Sequence, residues 1–179
     1  MNKFLIPLII AISYAQAAAL PPMKLTNLKN ELVTVVWKEN KKLTAVIFLS
    51  ALCPCSHSHL SYLTKLKEQH PEVDFLALHS NRDEDSKTVE DYFSKNPLNF
   101  PLLKDDKSTW ANRLKAYRTP HAYIISSKGE ILYQGGVSNS TEVENAKEFY
   151  LADALNALKQ NQSLKKSQTR VLGCPIARD

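Results

Sequence analysis

Two cysteines stand one residue apart in Ser50-Ala51-Leu52-Cys53-Pro54-Cys55, and a third, Cys174, lies in the last segment of the 179-residue chain. A thiol attacks sulfur only as the thiolate, and a cysteine that closes a buried strand and opens a helix meets unpaired backbone N–H groups and a helix dipole that favour that ion. Cys53 precedes the helix and is the expected attacker, the more exposed of the pair. Cys55 is placed to resolve a mixed disulfide formed on it. A ring closed over one intervening residue is tight, so a Cys53–Cys55 bond would be easily reduced, and Cys174, on a tail that would close a long loop, is the other available partner. Two blander roles stay open beside these: Cys55 as an inert buried residue and Cys174 as a free surface thiol.

The same segment alternates Cys53, Cys55, His57 and His59. Thiolate and imidazole suit copper(I) or zinc, so a metal-binding or metal-delivery protein is the alternative to redox work. On a helix beginning near Cys55, Cys55 and His59 share a face while His57 points elsewhere. The two histidines are therefore expected as exposed residues that tune the local potential. No cofactor is expected on the redox reading, and copper on the alternative. His70, His79 and His121 read as structural or incidental, although His121 follows a proline that would bring it toward the site. That proline, in Thr119-Pro120, stands directly before a strand, where the missing N–H costs nothing, and a cis bond there would turn the preceding backbone toward a bound chain.

The elements that must position these residues follow from pattern. Leu43 to Leu49 (LTAVIFL) is a continuous apolar run, expected as a central strand buried on both faces and ending at Ser50. Leu60, Leu63 and Leu66 recur at helical spacing between Cys55 and Gln69, and Val73 to Leu78 is a second buried strand. Strand, helix and strand make a βαβ unit with parallel strands, which puts the cysteines at the carboxyl edge of the sheet. Glu31 to Trp37 reads as a strand after a Pro-containing lead, and Lys38 to Lys42 as a polar turn. A second helix is expected over Asp85–Lys95, with Val89 and Phe93 on one face. A third runs from Ser108, its cap, to Tyr117, with Trp110, Leu114 and Tyr117 inward. His121–Ser126 and Glu130–Gln134 form a hairpin around Ser127-Lys128-Gly129. The last amphipathic helix is expected over Val143–Asn161, with Ala146, Phe149, Tyr150, Ala154, Leu155 and Leu158 on its apolar face, and the tail from Gln162 to Asp179 has no periodicity.

The N-terminus, with Lys3, an apolar run from Phe4 to about Ile12 and small residues at Ala15 and Ala17, reads as a signal peptide of residues 1–17. That run is shorter than the roughly 20 apolar residues of a membrane span. The expectation is an exported, periplasmic chain without a membrane span after processing, divided into a lead (18–30), one α/β domain (31–161) and a tail (162–179). Export also places the thiols where disulfides persist. Lys and Arg number 23 against 18 Asp and Glu, and the charges alternate along the chain. A nucleic-acid groove needs a concentrated basic face, so that class of partner is not expected.

The ordered series FLSALCP, HSNRDED, FPLLKDD, RTPHAYIISSKGEILYQGG, YLADALNAL and TRVLGCPI resembles the redoxin branch of the thioredoxin superfamily, related to alkyl hydroperoxide reductase and thiol-specific antioxidant proteins, from about Leu32 to Ile176. The resemblance implies a thioredoxin-like fold, a central mixed β-sheet flanked by helices. It also implies Cys53 as the reactive cysteine, Pro120 as a cis-proline facing it, and a role for Cys174 in the Gly-Cys-x-Ile tail motif. The expected activity is thiol-disulfide oxidoreduction with a protein thiol or disulfide, or peroxide reduction, supplied by an electron donor that the chain does not name. Thioredoxins place two residues between their cysteines, whereas Ser56 here stands where the second would be. For peroxide reduction, Ser50 would supply the hydroxyl three residues before the cysteine and Arg118 a cation near the thiolate.

Overall fold

The computed structural model describes residues 19–37 and 43–178; the expected signal segment and the turn at 38–42 lie outside them. Strands β1 (Met23–Asn27), β2 (Leu32–Val35), β3 (Leu43–Leu49), β4 (Asp74–His79), β5 (Leu102–Lys104), β7 (His121–Ser126) and β8 (Ile131–Gly135) form one sheet in the order β2-β1-β5-β4-β3-β7-β8. Two further short strands, β6 (Arg118–Thr119) and β9 (Cys174–Pro175), pair with each other. The helices are α1 (Pro54–Gln69), α2 (Ser86–Lys95), α3 (Thr109–Leu114) and α4 (Tyr150–Lys159).

β3 is central, parallel to β4 and antiparallel to β7, so the sheet is mixed. Its alternate residues feed two cores. Ala45, Ile47 and Leu49 face Leu60, Leu63 and Leu66 of α1, Val89 and Phe93 of α2, and Leu151, Ala154 and Leu155 of α4. Val46 and Phe48 face Trp110, Ala111 and Leu114 of α3, Met23 and Leu25 of β1, and Ile176 of the tail. Each fully buried leucine contributes about 2 kcal/mol, so β3, covered on both faces, fixes the position at which Ser50 leaves the sheet.

Several elements differ from expectation. The segment read as a lead supplies β1, which joins β2 to β5. Ser108 does not cap α3 with its side chain. Its hydroxyl donates to the Ser80 carbonyl, while the buried Asp105 carboxylate accepts from the N–H groups of Trp110 and Ala111. α3 stops at Lys115, which adopts a left-handed φ of 56°, so Tyr117 falls out of phase and is 50% exposed instead of inward. The last helix begins later than its apolar spacing indicates. Ala146 is extended, and Asn139 Oδ1 accepts from the N–H groups of Lys147 and Glu148, which holds that stretch as a loop ahead of α4.

The aperiodic tail is docked along its length. The Ser167 carbonyl accepts from Gln134 N–H, and Thr169 N–H donates to the Gln134 carbonyl. Ile176 N–H donates to the Tyr117 carbonyl, Ala177 N–H to Asn81 Oδ1, and Arg178 to Asn112. Among the described residues no helix is long and apolar enough to cross a membrane.

Candidate active site

β3 ends at Leu49, and the chain crosses Ser50-Ala51-Leu52 to Cys53, the N-cap of α1. Pro54 suits the first helical position because its missing N–H has no intrahelical partner to lose. The cap geometry sets Cys53 Sγ in front of the free N–H groups of the first turn, and Ser56 N–H donates to it over 3.4 Å. From the opposite side, the cis bond at Thr119-Pro120 presents the Thr119 carbonyl to the same sulfur, which donates to it over 3.2 Å.

The tail supplies the third wall. β9 pairs antiparallel with β6, with Cys174 opposite Thr119 and Pro175 opposite Arg118. Gly173 makes this approach possible: a Cβ there would lie 1.9 Å from the Thr119 carbonyl oxygen, and its φ of 137° disfavours side chains. As a result, the Sγ atoms of Cys53, Cys55 and Cys174 all lie within 4.8 Å of one another.

Burial pushes the Cys53 thiol up, but hydrogen bonds from the Cys174 thiol, Thr119 and the backbone N–H groups of Ser56 and Cys174 outweigh it and hold the thiol below its ordinary value. The Thr119 hydroxyl is buried with no other partner, so a thiolate is the acceptor that would satisfy it. Burial and the neighbouring Cys53 sulfur push Cys55 up. Burial, with hydrogen bonding to Cys53, raises Cys174 to about 12. The three thiols thus divide into one held below its ordinary value and two held above it.

Three site expectations need correction. Cys53 is the buried member of the pair, 2% exposed, because β9 covers it, and Cys55 is the more accessible. The hydroxyl of Ser50 donates to Glu84, and Arg118 donates to the Gly173 carbonyl, so the two side chains considered for peroxide chemistry hold the loop and the tail. His57 and His59 do not join the sulfurs. Both ring nitrogens of His59 are engaged, with the Cys55 carbonyl and the Ser138 hydroxyl at 2.8 Å each, and the ring is buried, not exposed as expected. The exposed His57 bonds Tyr92 through Nδ1.

His121 is buried, stacked on Tyr123 and edge-on to Tyr117, and burial lowers it to about 4. His79 belongs to a buried group absent from the sequence reading, centred on Glu84. The Glu84 carboxylate accepts from Ser50 Oγ, from Ala51 N–H over 2.7 Å and from Asn81 Nδ2 over 2.8 Å, and it lies 3.0 Å from His79 Nε2. Burial alone would push Glu84 up; these partners instead hold it down at about 2. Asn81 in turn accepts from Ala177 N–H, so one carboxylate braces both the cysteine loop and the tail.

The Redoxin family model matches residues 15–150, which spans the cysteine loop and the cis-proline. The chain belongs to the Redoxin family. It is therefore an oxidoreductase of the thioredoxin superfamily. Among solved structures, a hypothetical protein SMc02350 from Sinorhizobium meliloti is similar at 20% identity and a TM-score of 0.79, over 93% of this chain and 96% of that one. An uncharacterized conserved protein from Geobacillus kaustophilus is similar at 22% identity and a TM-score of 0.79, over 98% of both chains. StoA from Bacillus subtilis is similar at 20% identity and a TM-score of 0.55, over 64% of this redoxin and 86% of StoA. At these identities the structural likeness establishes the thioredoxin-like fold. A search of the curated proteins returned no match.

Proposed function

We propose that this redoxin is an exported thiol-disulfide oxidoreductase in which Cys53 attacks and Cys174 resolves. The observation that carries the reading is the position of Cys174, opposite Thr119 on β9 with its sulfur within 4.8 Å of the Cys53 sulfur. An incoming polypeptide would take the place of β9 along Thr119. That pairing is only two residues long, so it opens at small cost.

The Cys53 thiolate attacks one sulfur of a partner's disulfide. The S–S bond breaks as the Cys53–partner bond forms, and the departing thiolate takes a proton. Cys174 loses its proton to water and attacks Cys53 Sγ; the second partner sulfur leaves as a thiolate, takes a proton from water, and a Cys53–Cys174 disulfide remains. Two electrons have passed to the partner, and an external dithiol returns them. Cys55, closed into a tight ring if it bonded Cys53, is the less favourable resolving group. Leu52, directly before Cys53, is 64% exposed and Tyr117 is 50% exposed, which suits a protein partner better than a small peroxide.

Disulfide mapping tests the assignment. Cys53→Ser should abolish exchange with a disulfide-bonded protein substrate, and Cys174→Ser should accumulate a mixed disulfide on Cys53. Full turnover by Cys174→Ser would transfer the resolving role to Cys55.

A further inference from the structure

We propose that the reduced chain binds one copper(I) ion on the three sulfurs of Cys53, Cys55 and Cys174. With a metal–thiolate bond of ~2.3 Å, sulfurs around a flat three-coordinate ion stand about 4.0 Å apart. The three here already lie within 4.8 Å of one another. An inward movement of at most about 0.5 Å by each sulfur closes the site at that bond length.

The donors come from three differently anchored positions: the cap of α1, its first turn and the tail strand β9. Arg118 holds the carbonyl of Gly173 beside Cys174, and the Ala177 N–H is fixed to Asn81, so the third sulfur is held in place before any ion arrives.

Donor chemistry selects the ion. Thiolates are soft ligands that favour copper(I), which accepts three of them, whereas zinc in a protein-only site takes four ligands. Among the described residues no imidazole or carboxylate joins the sulfur cluster. Of the two histidines next in sequence, His57 bonds Tyr92 through Nδ1 and His59 has both nitrogens bonded, and Glu84 is surrounded by its own donors. Binding exchanges thiol protons for the ion and moves no electrons. It also removes the thiolate that would attack a disulfide, so copper loading and exchange exclude each other.

The inference does not rest on the exchange reading and fails separately from it. The full exported chain, reduced and held without oxygen, is titrated with copper(I) against a chromogenic chelator, and the loaded protein is examined by X-ray absorption. The expected result is one ion per chain in a shell of three sulfurs without nitrogen. Cys55→Ser and Cys174→Ser should each weaken binding by about tenfold or more while circular dichroism stays unchanged, and His57→Ala should leave it intact. The proposal is overturned by unchanged affinity in Cys174→Ser, by a nitrogen in the shell, by zinc displacing copper(I) into a four-ligand site, or by binding no tighter than that of the urea-unfolded chain. Copper binding that is absent while exchange persists refutes this site alone.

Discussion

Replacing Glu84 by Gln removes the charge on which the cysteine loop and the tail both depend. The carboxylate is held at about 2 against an ordinary 4.5. A difference of that size corresponds to about 3 kcal/mol of folding stability. Because the folded value lies below the unfolded one, this stabilisation is present in full above about pH 4.5 and is lost as the pH falls toward 2. A carboxamide keeps the volume but turns an NH2 group toward donors, leaving one or two of Ser50 Oγ, Ala51 N–H, Asn81 Nδ2 and His79 Nε2 without an acceptor. Urea unfolding of the two proteins should give Glu84→Gln a deficit of about 3 kcal/mol at neutral pH, narrowing to about 1 kcal/mol near pH 3 as the carboxylate of the unfolded chain takes up its proton. Both the loop and the tail should also become more labile to hydrogen exchange. A deficit below about 1 kcal/mol at neutral pH, or one that does not narrow in acid, would refute the claim that this carboxylate is the brace.

Three further perturbations act on separate parts of the site. His121 is lowered by burial to about 4, so the unfolded chain gains its proton first and stability falls as the pH drops from 6.5 to 4; His121→Phe should recover about 2 kcal/mol near pH 5 relative to neutral pH, read by urea unfolding. Thr119→Val removes the buried hydroxyl beside Cys53 and should raise the pH midpoint of Cys53 alkylation toward that of the unfolded chain. Gly173→Ala places a methyl 1.9 Å from the Thr119 carbonyl and should detach β9, so that Cys53 and Cys174 are labelled at least about tenfold faster, a docking loss of 1.4 kcal/mol, while the main sheet keeps its amide protection. Unchanged labelling would mean that the tail does not control access to the sulfurs.

The parts of the fold that were legible are those whose pattern has one physical solution. LTAVIFL is apolar on both faces and became the central strand, the leucines of α1 follow helical spacing, and Gly129 with its neighbours marks the β7–β8 turn. β1 and β5 are five and three residues long, so the alternation of Met23 and Leu25 with Lys24 and Thr26 is too brief to mark a strand, and pairing across the sheet defines both. The tail shows no period because its groups are satisfied one by one by Gln134, Tyr117, Asn81 and Asn112, a set of distant partners that no local signal announces.

At the site, residue types indicated Cys53 and the chemistry of a helix start, and the family resemblance implied the cis Thr119-Pro120 bond. They did not indicate that Cys53 is buried, because the covering strand is 121 positions away. Glu84 sits in the charged run HSNRDED, which reads as a solvated turn; its burial follows from four donors that converge on it in three dimensions.

The account stands on the ionisation of one sulfur. The rate of Cys53 alkylation in the native, reduced chain, followed by mass spectrometry across the pH range, reports that ionisation through its midpoint regardless of how slowly the buried thiol reacts. The hydrogen bonds from Cys174, Thr119 and Ser56 predict a midpoint below that of the same thiol in the urea-unfolded chain. A midpoint at or above that value would contradict the account.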